Sequence, residues 1–136
     1  MKRHLAALLA LFLLAAPALG EEDPAFMQHF FAPELVLKNA AALQLTKAQR
    51  SAITRDIGQV TGATTELQLT MMEGFGAVEE LAGADPVSEK ALLAAIHDVL
   101  VAELQVKEAH MGLLVRIRNT LTPEQREKLR RIRDGG

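Results

Sequence analysis

From Ile53 onward the apolar and small residues fall at Ile53, Ile57, Val60, Thr64, Leu67, Met71, Gly74, Val78 and Leu81, in steps that alternate four and three. That spacing keeps them on one face of an α-helix and rules out a strand, whose faces alternate every second residue. Counted from Thr46 to about Leu81, the helix would be roughly 54 Å long at 1.5 Å per residue. A second stretch repeats the pattern at Leu92, Ile96, Val99, Glu103, Val106, His110, Leu113 and Ile117. Between them lies "AGADPVSEK", with Gly83 as a stop, Asp85 as an N-cap and Pro86 at the first position of a helix running to about Asn119. So short a connection makes the two long helices antiparallel neighbours.

The hairpin is bracketed by a repeated phrase, "LTKAQ" at 45–49 and "LTPEQ" at 121–125. In a capping box, a threonine at the N-cap accepts from the backbone N–H three residues on, while a glutamine there bonds back to the cap's own N–H. Thr46 with Gln49 and Thr122 with Gln125 have that spacing, and Pro123 and Glu124 suit a first helical turn. A staple partner for Leu45 or Leu121 would be Arg50 or Arg126, so the leucines are expected on a neighbouring helix instead. Each phrase therefore reads as a corner between two helices. Neither holds a nucleophile with a base, a carboxylate dyad or a phosphate loop, and no enzyme is expected.

The glycines at 58, 62, 74 and 76 each weaken a helix interior by up to about 1 kcal/mol relative to alanine. "GFG" at 74–76 is the expected kink or close approach. Glu103 and His110 interrupt the second stripe, and Glu103 is placed to pair with Lys107 one turn on. Before the hairpin, Phe26, Met27, Phe30 and Phe31 cluster at helical spacing, and Pro33 starts or kinks a helix to about Leu43. The cluster reads as core or dimer interface, and as a partner surface if exposed.

Residues 1–20 have a basic start at Lys2 and Arg3, an apolar run from Leu5 to Ala16 and small residues at Ala18 and Gly20. That is the pattern of a secretory signal peptide cleaved after Gly20, with an apolar core too short to span a bilayer comfortably; retention of the segment as a membrane anchor is the alternative. Residues 21–136 then form one domain, with 13 Lys and Arg against 17 Asp and Glu and a formal charge of −4. With no Trp and no Tyr, this mildly acidic segment lacks the footprint of a nucleic-acid binder. The chain has no cysteine, so thiolate chemistry is excluded and the domain must be held by packing alone.

A Cys-free helical chain behind a signal peptide, with "LTKAQ" opening one long helix and "LTPEQ" following the other, resembles the LTxxQ-motif family of bacterial periplasmic proteins that includes Spy, CpxP, ZraP and CnrX. The resemblance covers the whole of 21–136. It implies an all-α fold: a long antiparallel hairpin with a short helix at each end, dimerised into a curved cradle. Spy-like members bind unfolding proteins without ATP on the concave face, and CpxP-like members engage a sensor kinase. CnrX-like members instead carry a metal site built partly from histidine and methionine spaced i, i+4.

On that basis the expectation is a periplasmic homodimer that binds unfolded clients or a sensor kinase and requires no cofactor. Its surface would draw on Phe26, Met27, Phe30, Phe31, Met71, Met72 and Phe75 and on the cationic run Arg126, Arg130, Arg131 and Arg133. Methionine suits such a surface because its packing adapts. For the cationic run the alternative is a solvated helix face near a C-terminus, where the dipole favours cations. The second expectation is a sensor holding a divalent transition metal. No histidine in 21–136 has a histidine or methionine four places away: the positions are Ala25 and Pro33, Leu93 and Val101, Val106 and Leu114. What remains for a metal is a set assembled across helices or subunits from His29, Glu103, His110 and His97.

Overall fold

The computed structural model describes residues 23–135, so the signal-peptide segment 1–20 lies outside the described residues. A 3-10 turn (Ala25–His29) leads to α1 (Pro33–Lys38), and two long helices follow, α2 (Lys47–Ala82) and α3 (Glu89–Thr120). The chain ends in α4 (Pro123–Arg133), and there is no strand among the described residues. The architecture is the all-α hairpin with short terminal helices that the periodicity and corners imply. Among the described residues, no helix is long and apolar enough to cross a membrane.

Both corners form the expected capping box. Thr46 accepts from the Gln49 N–H at 3.1 Å while its own N–H donates to Gln49 Oε1 at 3.0 Å. Thr122 and Gln125 repeat this at 3.2 and 2.9 Å. Two other boundaries differ from the sequence expectation. α3 begins at Glu89 and not at Pro86, because the Ser88 hydroxyl accepts from the Ala91 N–H at 3.3 Å and makes Ser88 the N-cap in place of Asp85. α1 ends at Lys38, short of Leu43. The Asn39 side chain takes the Leu35 carbonyl at 2.7 Å, and Gln44 turns the chain with a left-handed φ of 52°.

The two stripes face each other. Ile53, Val60, Thr64 and Val78 of α2 are buried, as are Val99, Leu113 and Ile117 of α3. Contacts along the pair fix its antiparallel register: Asp56 meets Arg116, and Gly74 meets Val99. A Cβ on Gly74 would lie 2.6 Å from the Val99 side chain, so glycine permits close approach there and α2 continues unbroken. Thr64 is tolerated in the seam because its hydroxyl donates to the Val60 carbonyl at 2.8 Å.

The main core sits at the base of the hairpin, where Ile53, Leu113, Ile117, Leu129, Val36 and Phe31 meet. Leu45 and Leu121 are both buried in it, so the corner leucines do pack onto neighbouring helices. Toward the tip, Phe75, Val78, Val99 and Ala102 are buried outside this cluster.

Candidate functional site

The corners are joined to each other. The Gln49 carboxamide donates to Gln125 Oε1 at 2.8 Å, and the Gln125 carboxamide donates to Gln49 Oε1 at 3.1 Å. Each Nε2 spends its second hydrogen on a carbonyl, Gln49 on Thr120 at 2.9 Å and Gln125 on Leu43 at 3.1 Å. Each Oε1 also accepts from its own threonine N–H. Every donor and acceptor of both amides is used, so each amide is oriented unambiguously. The motif is thus more than a pair of caps: it ties the start of α2 to the start of α4, and both to the end of α3.

The cations of the last helix are largely engaged within the chain. Arg126 donates to the carbonyls of Leu121 (2.7 Å) and Arg118 (3.4 Å), closing the end of α3. Lys128 takes the Ala42 carbonyl at 2.6 Å. Arg130 and Arg131 both pair with Glu127. Arg133 donates to the carbonyls of Gln28 (2.9 Å) and Phe30 (3.2 Å), and its guanidinium lies 5.4 Å from the Phe31 ring centroid. Arg118 adds a bond to the His29 carbonyl at 3.2 Å. Arginine forks on backbone carbonyls therefore fasten the N-terminal segment to the last two helices.

The apolar candidates divide. Phe75 and Phe31 are core residues and present no surface, whereas Met27, Phe30 and Met71 are half-buried. Phe26 and Met72 are 53% and 54% exposed. Sequence reasoning passed over other exposed side chains: Leu69 on α2 and Leu93, Leu100 and Leu104 on α3 all stand in solvent. Their signal was a second apolar phase on α3, overshadowed by the core stripe. It also passed over Asp56, whose side chain is only 10% exposed and lies 3.5 Å from Arg55 and 3.7 Å from Arg116.

Where α1 crosses the hairpin there is a groove of about 360 Å³, lined by Pro33, Glu34 and Leu37, by Ile57, Val60, Thr61 and Thr64, and by His110, Leu113 and Leu114. His110 is exposed at its rim. The four weak metal candidates do not gather. His29 is in the N-terminal turn, and His97 and His110 are about 20 Å apart along α3 at 1.5 Å per residue. Glu103 is held by Lys107 at 2.9 Å, as its spacing implied. Among the described residues, no three His, Asp or Glu side chains are grouped to hold an ion.

A family model described as "Heavy-metal resistance" matches residues 4–128, a span that includes both corners. Among curated proteins and among solved structures, nothing matches the chain.

Proposed function

Since the chain belongs to the heavy-metal resistance family, the LTxxQ-motif periplasmic proteins of the Spy, CpxP, ZraP and CnrX kind, we propose that it is a periplasmic stress-response protein that binds unfolded clients without ATP, as a homodimer. The observation that carries this reading is the number of large apolar side chains left in water on a hairpin whose core is otherwise well packed. Leu69, Met72, Leu93 and Leu104 are each more than half exposed, as is Phe26 at the N-terminal turn. Large apolar side chains left in water mark candidate binding sites, and methionine adapts its packing to varied partners. The same side chains, presented to an envelope-stress sensor kinase, would modulate signalling.

The test is the aggregation of a chemically denatured client, followed by light scattering, with the protein at stoichiometric amounts and no nucleotide. Suppression that weakens in Leu69→Ser/Met72→Ser supports the reading, and absence of suppression sinks it.

The family's description favours a second reading, a metal-responsive regulator. Among the described residues the donors of a single chain do not fit a resident metal, since His29, His97, Glu103 and His110 are dispersed. That reading is served by donors brought together from more than one chain. Calorimetry with nickel, cobalt, zinc and copper on tag-free protein separates the two. Stoichiometric binding lost in His97→Ala or His110→Ala would favour the metal.

A further inference from the structure

The base and the arm of the hairpin carry opposite charge. The Asp56–Arg116 pair, 3.7 Å apart, marks the level at which they divide. Below it, residues 23–56 and 116–134 hold eleven Lys and Arg against six Asp and Glu, a net charge of +5. Above it, residues 57–115 hold two against nine, a net charge of −7. The internal bonds of the basic side chains do not cancel the excess, because Arg118, Arg126, Lys128 and Arg133 donate chiefly to neutral backbone carbonyls. Lys38, Lys47 and Arg50 are exposed, and their side chains have no partner among the described residues. We propose that the base is a docking surface for a bilayer carrying anionic phospholipid headgroups, with Phe26 seated among them.

Three features select that occupant. First, the excess is local. The nearest acids of the arm, Glu66 and Glu108, lie about 15 and 12 Å above the dividing pair at 1.5 Å per residue. Both are beyond the Debye length of about 8 Å at physiological ionic strength. A charged surface touching the base therefore meets its +5 and not the −4 of the whole domain, and an anionic one turns the arm away.

Second, the base offers an aromatic ring as well as cations. Phe26 is 53% exposed in the N-terminal turn. Arg118 and Arg133 hold that turn by the carbonyls of His29, Gln28 and Phe30. A ring fixed beside Lys and Arg is the composition of an interfacial membrane contact, in which the ring enters the headgroup boundary while the cations meet phosphates. An acidic protein would be served by the cations alone.

Third, Asp23 is seven residues beyond Ala16, where the apolar run ends, a reach of at most about 25 Å. A chain still held in a membrane by that run presents its base, and not its tip, to the bilayer.

Docked this way, the arm stands off the bilayer with Leu69, Met72, Leu93 and Leu104 free for clients. The proposal thus goes beyond client binding, which the aggregation assay judges separately. The test is co-sedimentation of protein lacking residues 1–20 with vesicles of phosphatidylcholine alone, or of phosphatidylcholine and phosphatidylglycerol in equal parts. That form keeps the whole core, which lies within 23–135. Binding should be confined to the phosphatidylglycerol vesicles and should fall as salt is raised. Each cation near such a surface multiplies partition about fivefold, so Lys38→Gln/Lys47→Gln/Arg50→Gln should lower it about 100-fold. The circular dichroism should be unchanged, since all three sites are exposed. Lys90→Gln/Lys107→Gln, on the arm, should not lower binding. The chain has no tryptophan, so Phe26→Trp places a single indole at the contact. Its emission should shift to the blue on phosphatidylglycerol vesicles, and that of Met72→Trp should not. Equal binding to both kinds of vesicle, binding to neither, or a base triple variant that binds like wild type overturns the proposal. So does a Phe26→Trp emission that stays unshifted while soluble polyglutamate binds as tightly as the vesicles, the result expected of a surface for acidic proteins.

Discussion

The substitution Gln125→Glu exchanges one NH2 for an oxygen and preserves the side chain's shape. In an isolated capping box it should be neutral, because glutamate serves that position as well as glutamine and suits a helix N-terminus. The interlocked geometry leads to the opposite expectation. Two donors disappear, those to the Leu43 carbonyl and to Gln49 Oε1, both at 3.1 Å. A carboxylate oxygen is left against two acceptors. Each lost bond costs about 1 kcal/mol, and each acceptor facing the carboxylate adds a comparable amount. Stronger bonds from the Thr122 N–H and the Gln49 amide return part of this, so the net loss should be about 2–3 kcal/mol. For a domain this size that lowers Tm by roughly 8–12 °C.

Urea denaturation followed by circular dichroism measures the loss directly. Thr122→Ala, which removes the cap alone, should cost only about 1 kcal/mol. In a double-mutant cycle, Gln49→Ala and Gln125→Ala should couple by about 1 kcal/mol or more. The introduced carboxylate has its folded pKa raised by the facing oxygens above its unfolded value. The deficit is therefore smallest at pH below the unfolded value and grows as pH rises through the folded one. A Gln125→Glu variant as stable as wild type at pH 7, with additive alanine effects, would refute the interlock and leave two independent caps.

Two further predictions concern the long helices. Gly74→Ala should destabilise by about 1–3 kcal/mol despite its helix propensity, because the added methyl meets the Val99 side chain at 2.6 Å. Val99→Ala should relieve that cost, whereas Gly76→Ala, which meets nothing, should gain about 0.5–1 kcal/mol in thermal melts. Ser88→Ala should cost about 1 kcal/mol of helix capping while Asp85→Ala costs little, since Ser88 is the residue that caps α3.

The sequence by itself determined whatever depends on neighbours within a turn or two. Thr46, Gln49, Thr122 and Gln125 announce helix starts because a capping box spans only four residues. The four-three stripes announce a hairpin because a helix face is a property of spacing. Glu103 and Lys107 announce their ion pair for the same reason.

Other outcomes depend on which elements meet, and these only the tertiary structure decided. The sequence pointed to Asp85 as the cap, but Ser88 caps α3 through its bond to Ala91. Phe75 looked like surface beside Met71 and Met72, yet it is buried toward the tip of the hairpin. The arginines of α4 read as a solvated or partner-binding run until the carbonyls of Leu121, Gln28 and Phe30 came within their reach. Gln49 and Gln125 each looked complete as a local cap. A glutamine amide has two N–H donors that a capping box leaves unused, and only folding brings the other corner close enough to take one from each.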